Sequence, residues 1–241
     1  MNPRSLEEAK RIFSGIKRVS KMPNLLTIIC SPSVFIEPLR KSATDFIKLG
    51  GQDVFWESIG AFTGQISPPM LKSVGADYVI IGHSEKRELG DTDEMINDKV
   101  GTAFRSDLKV ILCVGEKERD TEGAYFNTVR EQIKTALDKV QRRYIGNLII
   151  AYEPVWAIGK TDAEAMTGAQ MLEMGIFIKK TVTDLYGKDG GLSVPILYGG
   201  SVSPHNAHDI VNVGKVNGLL VGRQSLEAKS FTEIMREVMR A

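Results

Sequence analysis

Seven short apolar, β-branched runs recur along the 241 residues of this chain: LLTIIC (25–30), DVFWE (53–57), YVIIG (78–82), VILCVG (110–115), LIIAYEP (148–154), VPILYGG (194–200) and GLLVG (218–222). Each is continuous rather than alternating, the pattern of a strand covered on both faces. Helical patterns lie between them: DTDEMINDKVGTAF, NTVREQIKTALDKV, the stretch from Met166 to Tyr186, and the C-terminal KSFTEIMREVM. Such alternation implies a parallel sheet with right-handed crossovers. No composition shift or low-complexity linker divides the chain, so residues 1–241 are expected to form one domain.

The alternation begins on a helix. In MNPRSLEEAKRIFSGIK, Pro3 occupies a position that a first helical turn tolerates, and Leu6, Ala9, Ile12, Phe13 and Ile16 recur at helical spacing. Seven strands with eight helices, helix first, is an awkward count for an open sheet. It is what remains of an eight-fold (β/α) barrel without its first strand. Periodicity alone leaves a doubly wound sheet open; the loop contents favour the barrel.

Formal net charge is +1, from 31 basic against 30 acidic residues, so no global field recruits nucleic acid or a membrane surface, and neither is expected as a partner. An anionic ligand has to be held by local geometry. Cys30 and Cys113 lie inside apolar runs and read as buried, reduced core thiols. No apolar stretch approaches membrane-spanning length and the charged first helix is no signal peptide, which makes the cytoplasm the expected setting.

In parallel α/β architectures chemistry collects just after the carboxyl ends of the strands. Those places read SPS, SIGAFTGQISPP, GHSEKR, GEKE, EPVWAIGK, GGSVSP and GRQS. Two residues there suit proton transfer. Glu153 follows LIIAY directly, and a carboxylate backed by Pro154 and Trp156 would be partly desolvated and able to act as a base. A structural acid paired with a neighbouring lysine or arginine fits that position equally well. His83, in IIGHSEKR, leads into a short helical turn whose amides disfavour an imidazolium, so a neutral ring could donate to a substrate oxygen. Taken alone it reads as a loop histidine satisfied by backbone. His205 and His208, in PHNAHD, read as an exposed helix start.

Phosphate sites need converging backbone N–H groups, and glycine lets the ligand come close. YGGSVSPHNA offers Gly199, Gly200 and Ser201 before a short helix, and LLVGRQSLEA offers Gly222 and Arg223 before another. Two such loops after the last two strands match a recurring feature of barrels. There is no HExxH, no paired CxxC and no GxGxxG after a strand. The expected chemistry is proton transfer on a small phosphorylated carbonyl compound, with no metal and no organic cofactor.

Taken together, GAFTGQISPPMLKSVGADYVIIGHSEKRE, VILCVGE, AYEPVWAIG, ILYGGSVSPHNA and GLLVG closely resemble the triosephosphate isomerase family and its TIM (β/α)8 barrel, from about residue 1 to the C-terminus. The resemblance implies interconversion of dihydroxyacetone phosphate and glyceraldehyde 3-phosphate through an enediolate, in glycolysis and gluconeogenesis. It implies Glu153 as the base and His83 as the neutral electrophile, a pairing that is an established example in this family. The loop after Trp156 resembles the family's mobile lid, which excludes water while the enediolate exists. Gly159, Ser201 and Gly222 correspond to phosphate-gripping positions, Glu85 to the charged residue beside the histidine, and Cys113 to a cysteine packed near the base. The loop ESIGAFTGQISPP, with Thr63 near its tip, resembles one that reaches into a partner subunit, which implies a homodimer.

The chain departs from the family pattern in three places. Its lid reads AIGKTDAEAM where the family usually has AIG-T-G-K. Arg223 stands where the last phosphate loop usually has a second glycine; its backbone N–H remains available and its guanidinium adds charge. The family's first strand ends in N-x-K-M-N, with a lysine that meets the substrate's negative charge, and only Met1-Asn2 match it. Lys160 and Arg223 are the candidates to replace that cation. About four apolar strand side chains at ~1.5–3 kcal/mol each would amount to roughly 6–12 kcal/mol, against a typical stability of about 5–15 kcal/mol. The expectation is a marginal, aggregation-prone or rearranged chain with exposed edges at LLTIIC and GLLVG, unless something else closes the gap. Three readings follow: an intact isomerase whose strand is encoded upstream of this Met1, a natural short form with an adapted site, or a barrel relic that binds a phosphorylated metabolite or a protein partner without catalysis.

Overall fold

Parallel pairing runs in chain order through seven strands in the computed structural model, which describes residues 1–161 and 164–240. They are β1 (Thr27–Ser31), β2 (Ile47–Gly51), β3 (Tyr78–Ile81), β4 (Lys109–Val114), β5 (Leu148–Tyr152), β6 (Ile196–Tyr198) and β7 (Gly218–Leu219). Helices fill the crossovers: α1 (Leu6–Lys17), α2 (Ser33–Arg40), α3 (Pro68–Ser73), α4 (Ser84–Glu88), α5 (Asp93–Arg105), α6 (Ala124–Ala136), α7 (Gly168–Ser193), α8 (Ala207–Asn212) and α9 (Ala228–Arg240). Short 3-10 turns lie at Arg142–Asn147, Val155–Ala157 and Arg223–Leu226.

The continuous apolar runs are buried on both faces, as their lack of alternation predicts. Every residue of β3 is buried, and every residue of β4 but its first. Tyr78, Ile80, Ile111, Cys113 and Ala151 pack with Ile28, Cys30, Ile149 and Leu197 in one cluster. Their strand neighbours Val79, Val110, Leu112, Ile150 and Tyr152 belong to a second cluster shared with the helices. The sheet is therefore curled, with one face turned in on itself and the helices outside, as in a (β/α) barrel.

Among the described residues β1 pairs only with β2 and β7 only with β6, so these two edges leave a gap. A cavity of about 1020 Å³ opens there and continues to the carboxyl ends of the strands. Outside the gap, Ile12 and Ile16 of α1 meet Met235 and Phe231 of α9, so the helical layer is continuous where the strand layer is not.

Three sequence expectations need correction. The first helix starts at Leu6, capped by Ser5, whose side chain accepts from the Glu8 amide at 3.2 Å; Pro3 lies ahead of it. Nine α-helices are present among the described residues rather than eight, because the crossover from β3 to β4 holds both α4 and α5, separated at Gly90 (φ 109°). DVFWE is not a strand. The second strand is IKLGG, six residues earlier, and Val54 and Phe55 are buried in the loop beyond it. Side chains at Gly50 and Gly51 would lie 2.7 Å from Cys30 Sγ and 2.7 Å from Leu71 Cδ1, so close packing there requires glycine and erases the apolar signal.

No helix among the described residues is long and apolar enough to cross a membrane.

Candidate active site

Glu153 leaves the end of β5 and turns inward. Its backbone amide donates to the Val114 carbonyl at 2.8 Å, continuing the ladder one residue past the strand. Two glycines make room for it. A Cβ on Gly115 would fall 1.8 Å from the Glu153 carbonyl oxygen, and one on Gly199 would fall 2.9 Å from Glu153 Cγ. Gly115→Ala is expected to destabilise the fold by about 3 kcal/mol, the upper end of the usual overpacking range, and to lower turnover by displacing Glu153. Urea unfolding and kinetics on one preparation read both effects.

His83 sits at the other side of the site, at the end of β3, as the N-cap of α4. Its Nδ1 accepts from the Glu85 amide at 3.3 Å, which places the proton of the neutral ring on Nε2. Nε2 faces Glu153 Oε1 at 3.2 Å, and Glu153 Oε2 accepts from the Ser84 amide at 2.9 Å. The first turn of α4 thus holds both groups. Arg87 braces that turn, donating to the Gly82 carbonyl at 2.8 Å and to Asp93 at 2.5 Å.

Glu153 is 2% exposed, and burial holds its carboxyl above the ordinary range. His83, the Ser84 amide and the Cys113 thiol oppose the rise without cancelling it. Cys113 is fully buried beside it; burial, and then the adjacent carboxylate, push its thiol well up, so it remains a thiol that donates to Glu153. Cys30, expected to be buried, is only half-buried because it lines the cavity; the protein around it still pushes its thiol up to about 12, and neither cysteine is in a disulfide.

The remaining sequence candidates separate clearly. Glu85, Gly159, Ser201, Gly222 and Arg223 line the same cavity as His83 and Glu153. The Glu85 side chain is exposed and 4.0 Å from His83 Nδ1, so what it supplies to the histidine is its backbone amide. Ser201 Oγ donates to the Lys160 carbonyl at 3.1 Å, joining the loop after β6 to the segment after Trp156. Of the AIGKTDAEAM segment, expected to be a lid, Asp162 and Ala163 lie outside the described residues; its far end is set by the Thr167–Gln170 capping box of α7. Thr63 does not line the cavity. It lies on the loop over residues 57–66, exposed throughout and closed at its base by the Phe55 amide on the Ile66 carbonyl at 2.8 Å.

Sequence reasoning missed Glu116. It stands in the strand-end segment GEKE and is 2% exposed. It accepts from Tyr152 Oη at 2.8 and 3.0 Å and from Trp156 Nε1 at 2.8 Å, while Arg119 lies 3.8 Å away. The Arg119 guanidinium also covers the Trp156 ring at 5.6 Å. This cluster anchors the segment after β5 at Trp156. An acid one residue after a strand-end glycine was the available signal, with nothing in the sequence to name its partners.

The family model for triosephosphate isomerase matches residues 1–238. Triosephosphate isomerase from Natranaerobius thermophilus is 37% identical over 97% of this chain and 91% of its own length. The protein of the same name from Finegoldia magna is 39% identical over 95% of the chain and 92% of its own length, and that from Thermoanaerobacter pseudethanolicus 46% identical over 78% and 76%. A curled parallel (β/α) sheet, an acid and a histidine facing each other at its strand ends, and likeness along nearly the whole chain agree: the chain belongs to the triosephosphate isomerase family.

Proposed function

We propose that this chain interconverts dihydroxyacetone phosphate and glyceraldehyde 3-phosphate, with Glu153 as the base, His83 as the electrophile, and Gly159, Ser201 and Gly222 around the phosphate. The observation that carries the reading is the 3.2 Å approach of His83 Nε2 to the buried Glu153 carboxylate in the cavity that those loops line. A carboxylate whose pKa is raised by burial is a better proton acceptor than an exposed one. It takes the proton from the carbon next to the carbonyl, and charge develops on the carbonyl oxygen. The Nε2–H of His83 points at that oxygen once the substrate has displaced Glu153 Oε1, and relays a proton between the two substrate oxygens. The acid formed at Glu153 then returns its proton to the neighbouring carbon, so nothing is consumed and no cofactor is required. The Trp156 segment supports closure over the intermediate.

A coupled isomerase assay on the purified chain tests this: turnover is expected, and Glu153→Ala should reduce it to background. Binding of triose phosphate with no turnover above that background would establish the other reading, a barrel that holds a phosphorylated ligand without converting it. One observation favours that alternative. Among the described residues lining the cavity, the only lysine or arginine side chains are Lys160 and Arg223, both in the phosphate loops.

The proposal extends to a homodimer joined through the loop that carries Thr63. That loop is exposed from 57 to 66, with Ile59 91% exposed and Phe62 42% exposed. Sedimentation velocity should show a dimer that Ile59→Asp converts to monomer; a monomer at every concentration refutes the assignment. The proposed setting is the cytoplasm, which the two unpaired cysteines support.

A further inference from the structure

We propose that the Arg223 side chain is a phosphate-binding group of this site, receiving the ligand's dianion where the Trp156 segment meets the last strand–helix loop. The inference rests on the phosphate reading above and adds the residue that supplies its positive charge.

Gly222 and Arg223 follow β7, and the chain turns at once into the 3-10 segment Arg223–Leu226, with Ser225 bonding the Gly222 carbonyl through its amide at 2.9 Å and its hydroxyl at 2.7 Å. That turn carries the guanidinium across to the opposite segment. Nη2 lies 3.6 Å from where a Cβ on Gly159 would stand. Gly159 has φ 76°, a conformation that suits glycine, and the absent side chain leaves its amide face open beside the guanidinium. A Cβ on Gly222 would meet nothing within 4 Å, so this mouth of the cavity is unfilled. The hydrogen bond from Ser201 to the Lys160 carbonyl brings a third loop to the same place.

Geometry separates the two cations there. Neither the Lys160 ammonium nor the Arg223 guanidinium has a hydrogen bond or ion pair among the described residues, and of the two it is the Arg223 guanidinium that lies against Gly159. Glu85, Glu88 and Glu153 also line the cavity, so an entering dianion meets three carboxylates. A planar guanidinium offers paired donors matched to two phosphate oxygens, which suits a phosphate monoester better than a point charge would.

Titration calorimetry with inorganic phosphate, at low ionic strength and without turnover, tests the assignment. Arg223→Gly keeps the backbone N–H and removes only the side chain; it should weaken binding about ten- to a hundredfold, the range for a charge-assisted contact. Arg223→Lys should recover part of the loss, and Lys160→Ala should lose less than Arg223→Gly. Added salt should weaken the unsubstituted protein more steeply than Arg223→Gly. Equal affinity in Arg223→Gly and the unsubstituted chain, or a larger loss in Lys160→Ala, overturns the proposal. An active isomerase whose KM ignores Arg223→Gly also overturns it and leaves the isomerase reading standing. An inert chain whose phosphate affinity depends on Arg223 does the reverse.

Discussion

Glu153→Gln is expected to lower turnover by about 10²–10⁴-fold, the usual contribution of a positioned proton-transfer group, and to raise the unfolding midpoint at neutral pH. The two effects have one cause. Burial raises the folded pKa of Glu153 above its unfolded value, so the native state holds this proton more tightly than the unfolded chain does. The stability that this group contributes is fully present below the ordinary carboxylate range and is lost as pH rises through the raised folded value. Above that value the native state carries an ionised carboxylate that is 2% exposed. Glutamine removes the charge and can still accept from the Ser84 amide. Thermal unfolding of both proteins from pH 4 to 8 should show the gain at pH 7 and its decline toward acid. The acid limb of the rate profile should also lie above the ordinary glutamate range. A substitution that leaves turnover intact refutes the base assignment; one that destabilises equally at every pH refutes the electrostatic account.

Glu116→Ala carries the second large effect. The buried carboxylate accepts from Tyr152 Oη and from Trp156 Nε1, and removing it leaves both donors without their acceptor. At about 1–3 kcal/mol for each stranded donor, a loss of roughly 2–6 kcal/mol is expected. The Trp156 indole anchors the start of the segment proposed to close over the site, so turnover should fall as well, with a shift in tryptophan fluorescence. Glu116→Gln keeps an acceptor and should recover most of the stability. Equal damage from both substitutions would mean that the Arg119 pairing at 3.8 Å dominates instead.

The distribution of these residues explains what was legible in advance. Apolar runs reveal strands where the strand is filled with large side chains, as in YVIIG and VILCVG. They fail at β2, where two glycines sit against Cys30 and Leu71, and buried loop residues mimic the strand that follows. Glu153 and His83 were readable because each closes an unmistakable strand and chemistry collects there. Glu116 stands two residues past its strand, and its role was not readable there, since its partners come from 36 and 40 residues further along the chain.

By itself the sequence determined the parallel alternating architecture, the acid and histidine at two strand ends, and the glycine loops after the last two strands. These are local properties: side-chain volume, backbone freedom and the spacing of apolar residues within a few turns. The tertiary structure alone decided what each ring nitrogen of His83 faces, what holds Trp156, how far Glu153 is removed from water, and that the Arg223 guanidinium lies beside Gly159. Each of those depends on atoms brought together by curling the sheet, and contact across a curled sheet is set by strand order and register, which no short segment encodes.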